Sequence, residues 1–156
     1  AGFSSANPGK LTLPLVQDPV YGYLSVNVEA QQEDRSSLLQ WTRHMIQARK
    51  KHPAFGLGSF NDLGGSNPAV LSYSREHTND DGSVDVIMCV NNLSQFPQPV
   101  ELDLRRFEGM VPVELVGGVS FPRIGELPYL LTLGGHGFFW FQLQSPIDES
   151  EEVGML

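Results

Sequence analysis

The chain has 156 residues, a net charge of −8 and 40% hydrophobic residues, which suits one globular domain with its own core. It is too short for a complete (β/α)8 barrel, which takes about 250 residues. The acidic balance argues against nucleic acid and against an anionic membrane surface as partners, because both need basic surface.

No stretch approaches the roughly 20 apolar residues of a membrane span. No secretory leader is expected, since residues 1–10 have neither a basic start nor an apolar run. Cys89 is the only cysteine, so no internal disulfide is expected and a reducing cytoplasm is the expected location. The chain opens on Ala-Gly-Phe-Ser-Ser rather than Met. That suggests a piece of something longer, with removal of a Met before Ala1 as the plainer alternative.

Residues 1–33 read as loop. Asn7-Pro8-Gly9 and Asp18-Pro19 are turn signals, and the apolar runs 11–16 and 23–28 are candidates for brief strands or extended segments. Residues 34–52 carry the convincing helical pattern. Leu38, Trp41, Met45 and Ala48 recur at helical spacing, with Leu39, Thr42 and Ile46 beside them. Asp34, Ser36 or Ser37 can cap its start. Arg43, Arg49, Lys50 and Lys51 load its C-terminal half, as the helix dipole favours. His52-Pro53 ends it, because a residue before proline avoids helical angles. The helix has a broad apolar face that the preceding loops are poorly suited to cover.

After Pro53 the pattern turns to short strands, expected at 69–75, 84–91, 98–104, 111–116, 129–133 and 137–143. Gly-, Pro- and Asn-rich clusters separate them, and Asp80-Asp81-Gly82 is a hairpin signal. Strands at this spacing predict a mainly β fold, an antiparallel β-sandwich of Greek-key type. Three segments follow: 1–58, a piece of another domain; 59–144, the β-sandwich; and 145–156, an acidic tail.

Several motifs carry a family resemblance. Gly2-Phe3-Ser4, Leu13-Pro14, Val26-Asn27-Val28-Glu29-Ala30-Gln31 and Arg49-Lys50-Lys51-His52-Pro53-Ala54-Phe55 occur in order. Together they resemble the end of the α-amylase-family barrel: the loop after strand eight and the last barrel helix. Asp18-Pro-Val-Tyr-Gly-Tyr23, Pro99 through Gly109, Glu114 through Gly118 and Phe121 through Leu133 are more particular. These resemble trehalose synthases, also called maltose glucosylmutases.

That resemblance implies an isomerase that interconverts maltose and trehalose by intramolecular glucosyl transfer, with side hydrolase activity. It implies a carboxylate nucleophile and an acid/base group, as in retaining glycosidases. Those groups lie on earlier barrel strands, so none is expected in this chain, which alone should be inactive and structural. Calcium is implied for the upstream part and no cofactor for this one. Implied partners are the upstream barrel, further copies of the enzyme, and a maltokinase. A related α-glucosidase, a carbohydrate-binding module and a maltokinase-docking module are the alternative readings.

Gly2, Phe3 and Asn7 are the candidate substrate-pocket rim, because loops after barrel strands surround the active site. The competing reading makes Phe3 a packing residue and Asn7 a turn-former. His44, His52, His77 and His136 lack metal-ligand spacing. His44 and His52 are expected on the polar side of the helix. Glu29 and Asp34 read as backbone-fixing and capping residues rather than a carboxylate pair. Cys89, inside Val86-Ile-Met-Cys-Val90, reads as a small buried residue. Phe138-Phe139-Trp140-Phe141 reads as a central strand rather than a sugar platform, since alternate strand residues face opposite ways.

Overall fold

The computed structural model describes residues 5–145. Contacts divide the chain into two compact units, Ala1–Gln47 and Ala48–Leu156.

In the first unit, local hydrogen bonds set the chain's path. Asn7 opens a single 3-10 turn, Pro8–Lys10, by accepting from the Gly9 N–H at 2.9 Å. Asp18 shapes the next turn: its Oδ1 accepts from the N–H groups of Val20 (2.7 Å) and Tyr21 (2.9 Å). Those two bonds hold the Asp18 carboxyl below the usual carboxylate range, the Tyr21 bond contributing most. Gly22 is required there, because a Cβ would lie 2.2 Å from the Asp18 carbonyl oxygen.

Neither apolar run, 11–16 or 23–28, forms a strand. The second run instead enters a helix, α1 (Val28–Glu33). Asn27 caps it by accepting from the Ala30 N–H at 2.9 Å, and Glu29 occupies its first turn. Asp34 ends α1 rather than starting the next helix, and its Oδ1 accepts from the Ser36 N–H and hydroxyl. Helix α2 (Leu38–Lys51) begins behind Ser37, whose Oγ accepts from the Gln40 N–H at 3.2 Å. On α2, Leu38 is 71% exposed, and Trp41 and Ile46 are about half exposed.

The second unit is the β-sandwich. After a one-turn helix, α3 (Ala54–Leu57), come β1 (Asn61–Asp62), β2 (Val70–Thr78), β3 (Val84–Asn92), β4 (Gln98–Leu102), β5 (Val111–Glu114), β6 (Tyr129–Leu133) and β7 (Phe138–Gln144). One sheet has the order β1-β2-β3-β7-β5 and the other pairs β4 with β6, all antiparallel. The chain alternates between sheets from β3 to β7, and β7 returns to lie between β3 and β5. Such non-local returns characterise Greek-key sandwiches. The β2–β3 hairpin forms at the expected site: Gly82 takes a positive φ of 82°, which glycine adopts without a Cβ clash.

Period-2 alternation builds two cores. Val86, Met88 and Val90 of β3, with Phe141 and Leu143 of β7, face Val100, Leu102, Leu131 and Leu133 of the smaller sheet. Ile87 and Cys89 face the other way, against Ala54, Phe55, Tyr73 and Trp140. The expected central strand at 137–143 is therefore observed, with Phe141 fully buried and Phe138, Phe139 and Trp140 half-buried. Beyond Ser145 the expected acidic tail lies outside the described residues.

Candidate functional site

The best-built polar constellation lies where α2 hands over to the sandwich. Helix α2 stops at Lys51, one residue before the His52-Pro53 pair, as pre-proline sterics require. The next residues are gripped by a carboxylate from β3. Asp85 Oδ1 lies 3.1 Å from His52 Nδ1 and accepts from Gln142 Nε2 at 3.4 Å; Asp85 Oδ2 accepts from the Ala54 N–H at 3.3 Å. The two ionisable side chains are 13% and 6% exposed. A carboxylate only accepts, so His52 Nδ1 carries the hydrogen in this pair. His52 is thus not on a solvated helix face, as the sequence suggested. It follows the helix and points at Asp85.

Apolar contacts complete the junction. Ala54 is fully buried, and Phe55 packs on Trp140 with ring centroids 4.8 Å apart. Gly58 then lets the chain pass close: a Cβ there would lie 2.6 Å from the Ala54 carbonyl oxygen. Arg75 Nη2 donates to the Gly58 carbonyl at 2.9 Å, and Ser59 N–H to the Glu76 carbonyl at 2.9 Å.

A histidine on a buried carboxylate is also part of a catalytic triad, but a triad needs a nucleophile on the imidazole. Among the described residues no hydroxyl or thiol is hydrogen-bonded to His52. Cys89 is fully buried, and burial pushes its thiol up to about 11. That is the chemistry of an inert core cysteine, not of a nucleophile. Burial likewise pushes the neighbouring Tyr73 phenol up to about 12. The constellation is therefore a clamp within the second unit, where Asp85 of β3 holds residues 52–54.

Of the sequence-predicted rim residues, Gly2 and Phe3 lie outside the described residues. Asn7 is exposed, and its side chain serves the turn before Gly9. Among the described residues no three His, Cys, Asp or Glu side chains group to hold a metal ion. No helix among them is long and apolar enough to cross a membrane. The aromatic run of β7 is consumed by packing. Phe141 and Phe139 contact Phe121, and Trp140 contacts Phe55 and Phe138. The Asp85 clamp was missed at sequence level, because its partners lie 31 to 57 residues away in the chain.

The two-sheet antiparallel sandwich is of a domain class found at the C-terminus of maltogenic amylases. Residues 61–140 match the family model described as Maltogenic Amylase, C-terminal domain. The chain belongs to that domain family, and over most of its length it is similar to proteins called trehalose synthase. It is 72% identical over 145 residues to a trehalose synthase of Pimelobacter sp. (strain R48), covering 93% of this chain and 25% of the relative. It is 63% identical over 143 residues to the trehalose synthase/amylase TreS of Mycobacterium tuberculosis, covering 92% and 24%. The chain thus spans about a quarter of the length of these relatives, and the match falls in their C-terminal region. Among solved structures, isomaltulose synthase (PalI) from Klebsiella sp. LX3 superposes with a TM-score of 0.55 at 21% identity, covering 81% of this chain and 21% of that one. That likeness concerns the fold alone.

Proposed function

We propose that this chain is the structural C-terminal part of an enzyme that interconverts maltose and trehalose by intramolecular glucosyl transfer. Identity of 72% to a protein called trehalose synthase, over 93% of the chain, carries the reading. The activity belongs to the whole enzyme, whose catalytic carboxylates, calcium and side hydrolase activity reside in upstream segments. This chain alone is inactive. Its role is to present the exposed apolar face of α2 to upstream structure and to fasten residues 52–54 to the sandwich through Asp85. Gly2, Phe3 and Asn7 contribute to the pocket rim. The enzyme works in the cytoplasm, self-associates, and passes maltose chemistry to or from a maltokinase.

The test is a product assay on maltose with the intact enzyme. Trehalose should accumulate, with glucose as a minor product. Glucose without trehalose would make the enzyme an α-glucosidase instead. Phe3→Ala in the intact enzyme should raise the glucose share, as a loosened rim admits water; unchanged product ratios would remove Phe3 from the site.

A further inference from the structure

The sandwich treats its strand edges unequally. The outer edge of β5 is covered by the chain after it: Glu114 N–H donates to the Val119 carbonyl and Phe121 N–H to the Pro112 carbonyl, each at 2.8 Å. The outer edge of β4 is covered by Ser66, whose N–H donates to the Glu101 carbonyl at 3.1 Å and whose Oγ accepts from the Glu101 N–H at 3.0 Å. β1 is only two residues long. The outer edge of β6 has no such cover among the described residues.

Which groups that edge offers follows from the register. Glu101 turns its N–H and C=O outward to Ser66, and Pro99 has no N–H to give. Antiparallel residues alternate between facing the partner and facing away. So Gln98, Val100 and Leu102 bond β6, through their partners Leu133, Leu131 and Tyr129. Leu130 and Thr132, opposite Glu101 and Pro99, direct their N–H and C=O groups away from β4. A groove of about 580 Å³ runs along this edge, lined among others by Phe121, Leu127, Leu130 and Phe139, with Arg123 and Glu126 on the segment before the strand. Leu127 is 81% exposed and Leu130 is 63% exposed.

Natural sheets blunt open edges with charge, proline or bulges. Within β6 itself there is none of these: Tyr129-Leu130-Leu131-Thr132-Leu133 is β-prone, with no charge and no proline, Pro128 standing just before the strand, and residues 127–135 hold no charge in a chain of net −8. Two copies of so acidic a chain repel least across an uncharged strand. The strand is also its own complement. In an antiparallel register centred on Leu131, each Leu130 faces the other copy's Thr132, so all the outward groups are satisfied at once.

We propose that β6 is a self-pairing edge, through which two copies join antiparallel into one β4–β6–β6–β4 sheet about a two-fold axis at Leu131. This rests on the reading that the enzyme self-associates and names the surface and register. Strand pairing of this length is small beside the roughly 1,200 Å² that a stable interface buries. The edge therefore sets the register of an association that other surfaces strengthen.

The test uses the intact enzyme with Leu130→Cys and Thr132→Cys as separate variants, co-produced with different tags and oxidised mildly. Leu130 and Thr132 of opposite copies should lie about 5.5 Å apart at Cα, within disulfide reach. Identical positions lie diagonally, at roughly 7–8 Å. Mixed copies should give a covalent dimer at least tenfold more abundant than either variant alone. Thr132→Pro and Leu130→Lys should each weaken self-association at least tenfold in sedimentation equilibrium. If the enzyme assembles but neither cross-link nor weakening is seen, the edge proposal falls and self-association stands. If the unmodified enzyme is monomeric at all concentrations, self-association itself falls. Cysteines that resist alkylation without cross-linking would mean that upstream chain or another protein covers the edge, which also overturns the proposal.

Discussion

Asp85→Ala should unfasten residues 52–54 from the sandwich. In the folded chain this carboxylate serves the His52 ring, the Ala54 N–H and the Gln142 amide, at 3.1, 3.3 and 3.4 Å. Truncation leaves these donors around a side chain that was 6% exposed. Each stranded buried donor costs about 1–3 kcal/mol. The Ala54 and Gln142 bonds are long, so the low end applies to them, and His52 can turn partly to water. The total is then about 3–4 kcal/mol, in line with the roughly 3–5 kcal/mol seen when one partner of a buried pair is removed. For a unit of this size, about 1 kcal/mol moves the midpoint by roughly 4–8 °C. The sandwich transition of the intact enzyme should therefore fall by about 12 °C or more. His52→Ala should cost less, about 1–2 kcal/mol, because Asp85 keeps two donors. The double variant should then cost less than the sum of the two. Calorimetry of the intact enzyme, with limited proteolysis across residues 48–58, reads both effects. A melt of Asp85→Ala within 2 °C of the parent, with the segment still protected, would refute the clamp.

Asp103 is held down to about 2 by the Arg105 side chain, then by the Arg105 N–H. A carboxyl depressed from 3.8 contributes stability that is complete above pH 3.8 and is lost as pH falls toward 2. Its carboxyl carbon should titrate near 2 by NMR, and Arg105→Gln should return the midpoint toward 3.8. Cys89, fully buried with its thiol raised to about 11, should resist a thiol reagent at pH 8 and react only after denaturant is added. Labelling of the native protein within minutes would contradict the core placement. The isolated 156-residue chain should aggregate or melt without cooperativity, because Leu38, Trp41 and Ile46 of α2 stand exposed. A sharp monomeric transition by calorimetry and light scattering would show that α2 needs no covering.

The sandwich strands were legible because their signal is local. β6 coincides with its expected span, and β7 and β3 differ by a residue at one or both ends, since alternating apolar residues between glycine-rich turns have few other solutions. Helix α1 was not legible by apolar period, as six residues hold too little of it. Its cap was the usable signal: Asn27 followed by Glu29 and a run of helix formers. Family motifs did better than periodicity in that region, because they record turns such as Asp18 to Gly22 that leave no hydrophobic pattern.

The His52-Pro53-Ala54-Phe55 motif shows the same division more sharply. Proline explains where the helix stops, but not why a histidine precedes it or an alanine follows. The sandwich supplies both reasons: Asp85 meets the His52 ring and the Ala54 N–H, and a fully buried Ala54 leaves no room for a longer side chain. Asp85 itself sits in β3 where alternation calls for an apolar residue, between Val84 and Val86 and on the face shared with Ile87 and Cys89. A charge on a buried strand face is costly without partners. That misplaced acid was the trace of the junction in the sequence, and only the register of β3 against β7, which brings Gln142 opposite Ile87, makes it readable.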